Sequence, residues 1–314
     1  YKRQASQYLY LANSMIADDL LDVCYKKLAA ISLEKGDTLQ ALNYYSYIIK
    51  YLPNSKIYDA VIVERIKLNN MQHNYADAFQ DYRLLWERSP DSEQRKNVQP
   101  IIDSFVPSLL QKAYAFKAEG NYLLAVNELL KFTKYPLAEH KQIINEICDL
   151  YLILANLRIE NSDYKSARSY FDRTLQTCPQ KADIVETRIS TACSEIIKEA
   201  DLLQKELKFD QAVARYNLCY TLQEDHTEAT AKIASAEENK AKYLKAMEFE
   251  NAGDKHEDNK EYTAALQAYR QSASFYDSEQ IRNKIFRMQN LIEAEKDPKA
   301  FALKIITNHD KGKI

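Results

Sequence analysis

Only four glycines occur in 314 residues, at Gly36, Gly120, Gly253 and Gly312. That scarcity excludes a phosphate-cradling loop and a dinucleotide fingerprint, and it leaves little punctuation for strands. A serine nucleophile elbow cannot be written either. An excess of one charge sign is also missing. Lys and Arg number 43 against 45 Asp and Glu, a formal net charge of −2. Without a basic field to draw in a phosphate backbone, no nucleic-acid partner is expected. No apolar run is long enough for a membrane span. Cys24, Cys148, Cys178, Cys193 and Cys219 form no CxxC pair, and an odd number at scattered spacing argues against a disulfide framework. All five are expected to be reduced and structural. That favours a cytoplasmic setting; the alternative is an exported chain whose signal segment has been removed. His73, His140, His226, His256 and His309 stand at no metal spacing, and no carboxylate pair stands out as acid and base. No enzyme activity, metal or cofactor is expected.

What the chain does have is one short frame, repeated. An alanine recurs at Ala41, Ala78, Ala125, Ala167, Ala212 and Ala265. Three residues before it stands Thr38, Tyr75, Tyr122, Tyr164, Phe209 or Tyr262. Four residues after it stands Tyr45, Tyr82, Leu129, Phe171, Tyr216 or Tyr269. Prolines follow at Pro53, Pro90, Pro136 and Pro179, where a helix must end. Residues at i, i+4 and i+7 share a helix face, so Ala41, Tyr45 and Ile48 form one stripe, as do Ala78, Tyr82 and Leu85, and Ala125, Leu129 and Phe132. The alanine lets two backbones approach, and the aromatics fill the space around that contact. Gly36 and Gly120 fall where a left-handed cap is wanted between paired helices. A small residue, Ala29, Ala113, Ala155, Ala200 or Gly253, lies twelve before the alanine, with Ile66 as the exception.

This frame resembles the tetratricopeptide repeat family, in which each unit is a pair of antiparallel helices. The resemblance covers roughly residues 20–277. It implies an all-α fold: a right-handed helical-repeat solenoid of irregular repeat length, closed by a C-terminal capping helix. Residues 1–17 read as the second helix of a partial N-terminal repeat, 18–277 as six helix pairs, and 278–314 as capping helices and a frayed tail. Glu228 to Asp258 reads as one long helix or two with a small kink. Ser278 is expected to cap a helix whose buried face carries Ile281, Ile285, Met288 and Ile292, and Asp297-Pro298 to start another. Ser89 to Pro107, with three prolines, reads as an elongated connection.

The function implied is a non-enzymatic protein–protein interaction scaffold that takes an extended segment or helix of a partner in its concave groove. The alternative is a regulatory or targeting array of a larger protein whose catalytic or effector domain lies outside this chain. Counting from the small position of each first helix puts Lys26, Tyr114, Lys117, Asn156, Asp201, Glu250 and Asp254 on the groove. The acidic end, at Glu250 and Asp254, is expected to prefer a basic or amine-bearing segment. Family members that clamp a terminal carboxylate use a lysine and an asparagine from one first helix. Here Lys26 is followed by Ala30 where that asparagine belongs, and Asn156 is preceded by Leu152 where that lysine belongs. No such clamp is therefore expected. Tyrosine, at 23 copies, mostly fills aromatic slots of the frame.

Overall fold

A computed structural model describes residues 2–13 and 18–310. Among the described residues there is no strand, and consecutive helices double back on one another. A first helix α1 (Lys2–Asn13) packs on α2 (Asp18–Glu34). The pairs then run α2 with α3 (Thr38–Tyr51), α4 (Tyr58–Met71) with α5 (Tyr75–Arg88), α6 (Glu93–Ala118) with α7 (Tyr122–Leu130), and α8 (His140–Glu160) with α9 (Tyr164–Thr177). Next come α10 (Ala182–Lys205), the short α11 (Phe209–Tyr216) and α12 (Leu218–Leu222), and then α13 (Thr227–Asp258) paired with α14 (Tyr262–Phe275). Helices α15 (Glu279–Lys296) and α16 (Pro298–Asp310) finish the described chain. This is a tetratricopeptide-like array of helix pairs. It divides into two compact units, Tyr1–Val185 and Glu186–Ile314.

The repeated alanines sit where the frame needs them. Ala41, Ala78, Ala167, Ala212 and Ala265 are fully buried, and Ala125 is 1% exposed. Their stripe partners Tyr82, Leu85, Phe171, Tyr216 and Tyr269 are sealed as well. The small first-helix position works from the other side. A Cβ on Gly253 would lie 2.5 Å from Cε1 of Tyr269.

Each of the six turns inside a pair closes in the same way. The residue five before the alanine takes positive φ: Gly36 (77°), His73 (57°), Gly120 (78°), Ser162 (58°), Leu207 (63°) and Lys260 (62°). The next N–H then reaches back to the last turn of the first helix, as Asp37 N to Ser32 O at 2.9 Å and Glu261 N to His256 O at 2.8 Å. These bonds satisfy carbonyls that the helix end leaves open. Glycine fills only two of the six positions, so four turns escape a search for glycine.

Two expectations fail here. Ser89 to Pro107 is not an irregular connection, because α6 runs through Pro100 and Pro107. A proline inside a helix costs roughly 3 kcal/mol. The same helix buries Val98, Ile102, Phe105, Val106 and Leu110 to 2% exposure or less, and each such side chain contributes roughly 1.5–3 kcal/mol. Burial wins, and both prolines face solvent. The cysteines are not all reduced either. Cys148 of α8 and Cys178, just after α9, form a disulfide with Cα atoms 6.4 Å apart. Sequence spacing hid the pair, because α8 and α9 fold back to bring positions 30 apart together.

At the C-terminal end, the Ser278 side chain accepts from Ile281 N at 3.1 Å, and Ile281 and Met288 are buried. Residues 228–258 belong to one continuous helix, α13. Of the tail expected to fray, residues 308–310 are the end of α16, and 311–314 lie outside the described residues. Residues 14–17 of the expected N-terminal helix also lie outside them.

Candidate interaction surface

In the unit Tyr1–Val185, Lys26 lies half-buried on α2, Tyr114 and Lys117 on α6, and Asn156 on α8. Tyr114 and Lys117 come together. Lys117 pairs with Glu146 of α8, and that hydrogen bond holds the ammonium pKa above the ordinary lysine value. Burial pushes the Tyr114 hydroxyl up, and the nearby Glu146 carboxylate adds to this. Asn156 is on the same helix as Glu146 but ten positions on, about 15 Å along the axis. It therefore does not join that cluster.

In the unit Glu186–Ile314, the groove-register acids are held by internal partners. Asp201 of α10 accepts from Tyr216 at 2.5 Å and from Lys232 of α13 at 2.8 and 2.9 Å. Asp254 of α13 accepts from Tyr269 at 2.6 Å and from Lys284 of α15 at 2.6 Å. Glu250 pairs with Lys284 at 2.8 Å, and Glu257 with Arg287 at 2.6 Å. The arrangement recurs with the repeat: each tyrosine follows its aspartate by 15 residues, and each lysine by 31 or 30. Burial works against the charge on Asp201. The hydrogen bonds from Lys232 and Tyr216 outweigh it and hold the carboxyl below its usual range. Asp254 is held low in the same way by Lys284 and Tyr269. The two tyrosine hydroxyls move up, first through burial and then through the carboxylates they contact.

Beside the Asp201 clasp opens a cleft of about 480 Å³. Its walls come from α10, the turn into α11, α13 and the end of α14. Lys205, Lys232 and Lys242 supply charge, and Phe209, Phe275 and Tyr276 supply apolar area. Tyr243 stands edge-on to Tyr276 at 5.4 Å and tilted to Phe209 at 5.9 Å, which makes a continuous aromatic wall. Phe275 and Tyr276 are 36% and 37% exposed, so this wall is open to a ligand. Lys242 shares its charge with Glu238 at 2.6 Å, and Lys232 is committed to Asp201. Of the residues expected on the groove, only Asp201 lines this cleft. Lys232 and Tyr276 were not foreseen, although Lys232 carries a readable signal: opposite charges about thirty residues apart on successive first helices, as Asp254 and Lys284 also are.

No family model matches the sequence, and no curated protein matches it. Among solved structures, the chain is similar to a tetratricopeptide repeat protein from Parabacteroides merdae, with 14% identity over 84% of this chain and 97% of that one, at a TM-score of 0.21. It is also similar to the P58(IPK) TPR domain, with 14% identity over 93% and 94% and a TM-score of 0.29. For yeast Tom70 the values are 13%, 97%, 96% and 0.26. The fold assignment stands on the helix pairs and their six matching turns.

Proposed function

We propose that this chain is a non-enzymatic protein-interaction scaffold whose first-helix surface takes an extended segment of a partner protein. The observation that carries this reading is the cleft between α10 and α13. Its volume suits a few side chains of an extended peptide, and its lining joins exposed rings to lysine ammoniums. Exposed aromatic rings supply contact area at small entropic cost. Its four charged residues are three lysines and Asp201, and Lys232 already answers Asp201. The segment that fits therefore carries acidic and apolar side chains. A basic segment at Glu250 and Asp254 fits less well, because Lys284 already answers both. In the other unit, Tyr114 on α6 and Asn156 on α8 offer separate half-buried contacts. The Cys148–Cys178 disulfide favours an oxidising compartment, and so the exported alternative over the cytoplasmic one.

The test is affinity capture with the intact protein, repeated with two folded variants. Lys205→Glu with Tyr276→Ala alters the cleft, and Tyr114→Ala with Asn156→Ala alters the other surface. Loss of the captured partner in the first variant supports the cleft; loss in the second alone moves the site to α6 and α8. A partner held undiminished by both variants would falsify the first-helix reading.

A further inference from the structure

Three donor side chains meet in the unit Glu186–Ile314, each from a different element. Cys193 is on α10, seven residues before the small Ala200. Cys219 is on α12, seven after Ala212. His226 is the N-cap of α13. Their ligand atoms all lie within 4.8 Å of one another. Both cysteines are completely buried, and His226 is half-buried at the rim. Linear spacing gave no hint of this, since Cys193 and His226 lie 33 positions apart and meet only through the repeat.

We propose that Cys193, Cys219 and His226 form a Cys2His site for a zinc-class ion. Two thiolates and an imidazole are the donor set such an ion selects, and hard cations are poorly served by sulfur. The geometry needs little change. With Zn–S bonds of about 2.3 Å at tetrahedral angles, two sulfurs stand about 3.8 Å apart, so donors within 4.8 Å must draw in by about 1 Å at most. On binding, each thiol loses its proton to solvent while the imidazole stays neutral. The two thiolates then balance the ion's two positive charges, so the buried site carries no net charge. Three protein ligands leave the fourth tetrahedral position to water.

The site has a cost that identifies it. The Nδ1 of His226 accepts from Ala229 N at 3.2 Å. If Nδ1 ligates, that acceptor is gone; if Nε2 ligates, Nδ1 must carry the proton and cannot accept. Either way one long cap bond is exchanged for a coordination bond. The ion would tie α10, α12 and the start of α13 together. The preceding repeat places Cys148 seven before its own small Ala155 and ties it covalently to Cys178. Cys193 repeats that register with a partner that is not cross-linked to it.

The test uses the full chain after reduction and chelation, kept anaerobic, and titrated first with Co²⁺ and then with Zn²⁺ in competition. One cobalt per chain is expected, with sulfur-to-metal charge-transfer absorption and tetrahedral ligand-field bands, displaced by zinc. The Cys193→Ser/Cys219→Ser double variant keeps the other three cysteines and should lose both spectra. His226→Asn preserves a capping acceptor and leaves the core sulfurs untouched. It should weaken binding by at least about tenfold, since losing even an outer partner of a ligand costs that much. Circular dichroism checks that both variants are folded. The proposal is overturned if wild type takes up no more cobalt than the double variant. It is equally overturned if His226→Asn binds as tightly as wild type.

Discussion

The Tyr216 hydroxyl donates to the Asp201 carboxylate across 2.5 Å, and one helix pair later Tyr269 repeats the contact to Asp254 at 2.6 Å. Both rings are completely buried, so the aromatic slot of the frame does two jobs. It fills the space beside the alanine, and it aims a donor at the first helix of its own pair. Lys232 and Lys284 then join that carboxylate to the next first helix. Tyr216→Phe and Tyr269→Phe should each lower stability by about 1.5 kcal/mol, the low end for a bond to a charged group. The low end applies because Asp201 and Asp254 are 34% and 45% exposed, and water replaces the hydroxyl. Tyr45→Phe is the control: that ring is also buried, and burial and then the nearby Glu64 carboxylate push its hydroxyl up without a hydrogen bond to it among those described. Urea unfolding of the three variants decides the point; equal losses would mean that ring packing alone matters.

The clasps also set an acid limit. Asp201 and Asp254 have folded-state values below their ordinary ones. A depressed carboxyl contributes stability above its unfolded value, near 4, and that contribution is lost as pH falls through the folded value. Stability should therefore fall below about pH 4. In the Asp201→Asn/Asp254→Asn double variant the fall should be shallower, whatever its stability at pH 7. Denaturant midpoints at pH 7, 5, 4 and 3 provide the comparison, and parallel curves for the two proteins would remove the clasps from the account.

Glycine substitutions should act against helix propensity. Replacing a helix-interior glycine by alanine ordinarily stabilises by about 1 kcal/mol. At Gly253 it should instead cost about 1–3 kcal/mol, because the added methyl meets the buried Tyr269 ring at 2.5 Å. Lys260 holds φ of 62° at an exposed turn. Lys260→Gly should relieve a left-handed backbone and raise stability by up to about 1 kcal/mol. Thermal melts of both variants test the pair. A stabilised Gly253→Ala protein would show that α13 and α14 are not as close as 2.5 Å implies.

The helix pairs were legible because the frame repeats a small residue and two aromatics at fixed offsets, and sterics allow few ways to use them. The Ser278 cap and the buried face of α15 were legible for the same local reason. The left-handed turns at His73, Ser162, Leu207 and Lys260 were not, since the closing hydrogen bonds impose the conformation without glycine. Neither was the helical course of α6, where buried side chains outweigh two prolines. At the candidate surface the register placed Asp201, Glu250 and Asp254 on their helices, but it left their charges free. Their lysine partners come from the next first helix, about thirty residues on, beyond the reach of a helix-by-helix reading.

Cys148 and Cys178 are both fully buried, and their Cα atoms are 6.4 Å apart, inside the range a disulfide spans. Alkylation under denaturing, non-reducing conditions should modify three thiols, Cys24, Cys193 and Cys219. Prior reduction should raise that number to five. Closing a loop across a separation of 30 residues removes unfolded-state entropy worth about 3–4 kcal/mol in the chain-entropy model. The Cys148→Ser/Cys178→Ser protein should lose stability of that order, whereas Cys24→Ser should not. Because both sulfurs are sealed, reduction of the folded protein should wait on local opening, so it should be slow in buffer and fast in urea. Five thiols alkylated before any reduction would return the cysteines to the reduced state expected from their spacing, and with it the cytoplasmic setting. Three would leave the α8–α9 pair covalently closed, as the fold-back of those helices allows.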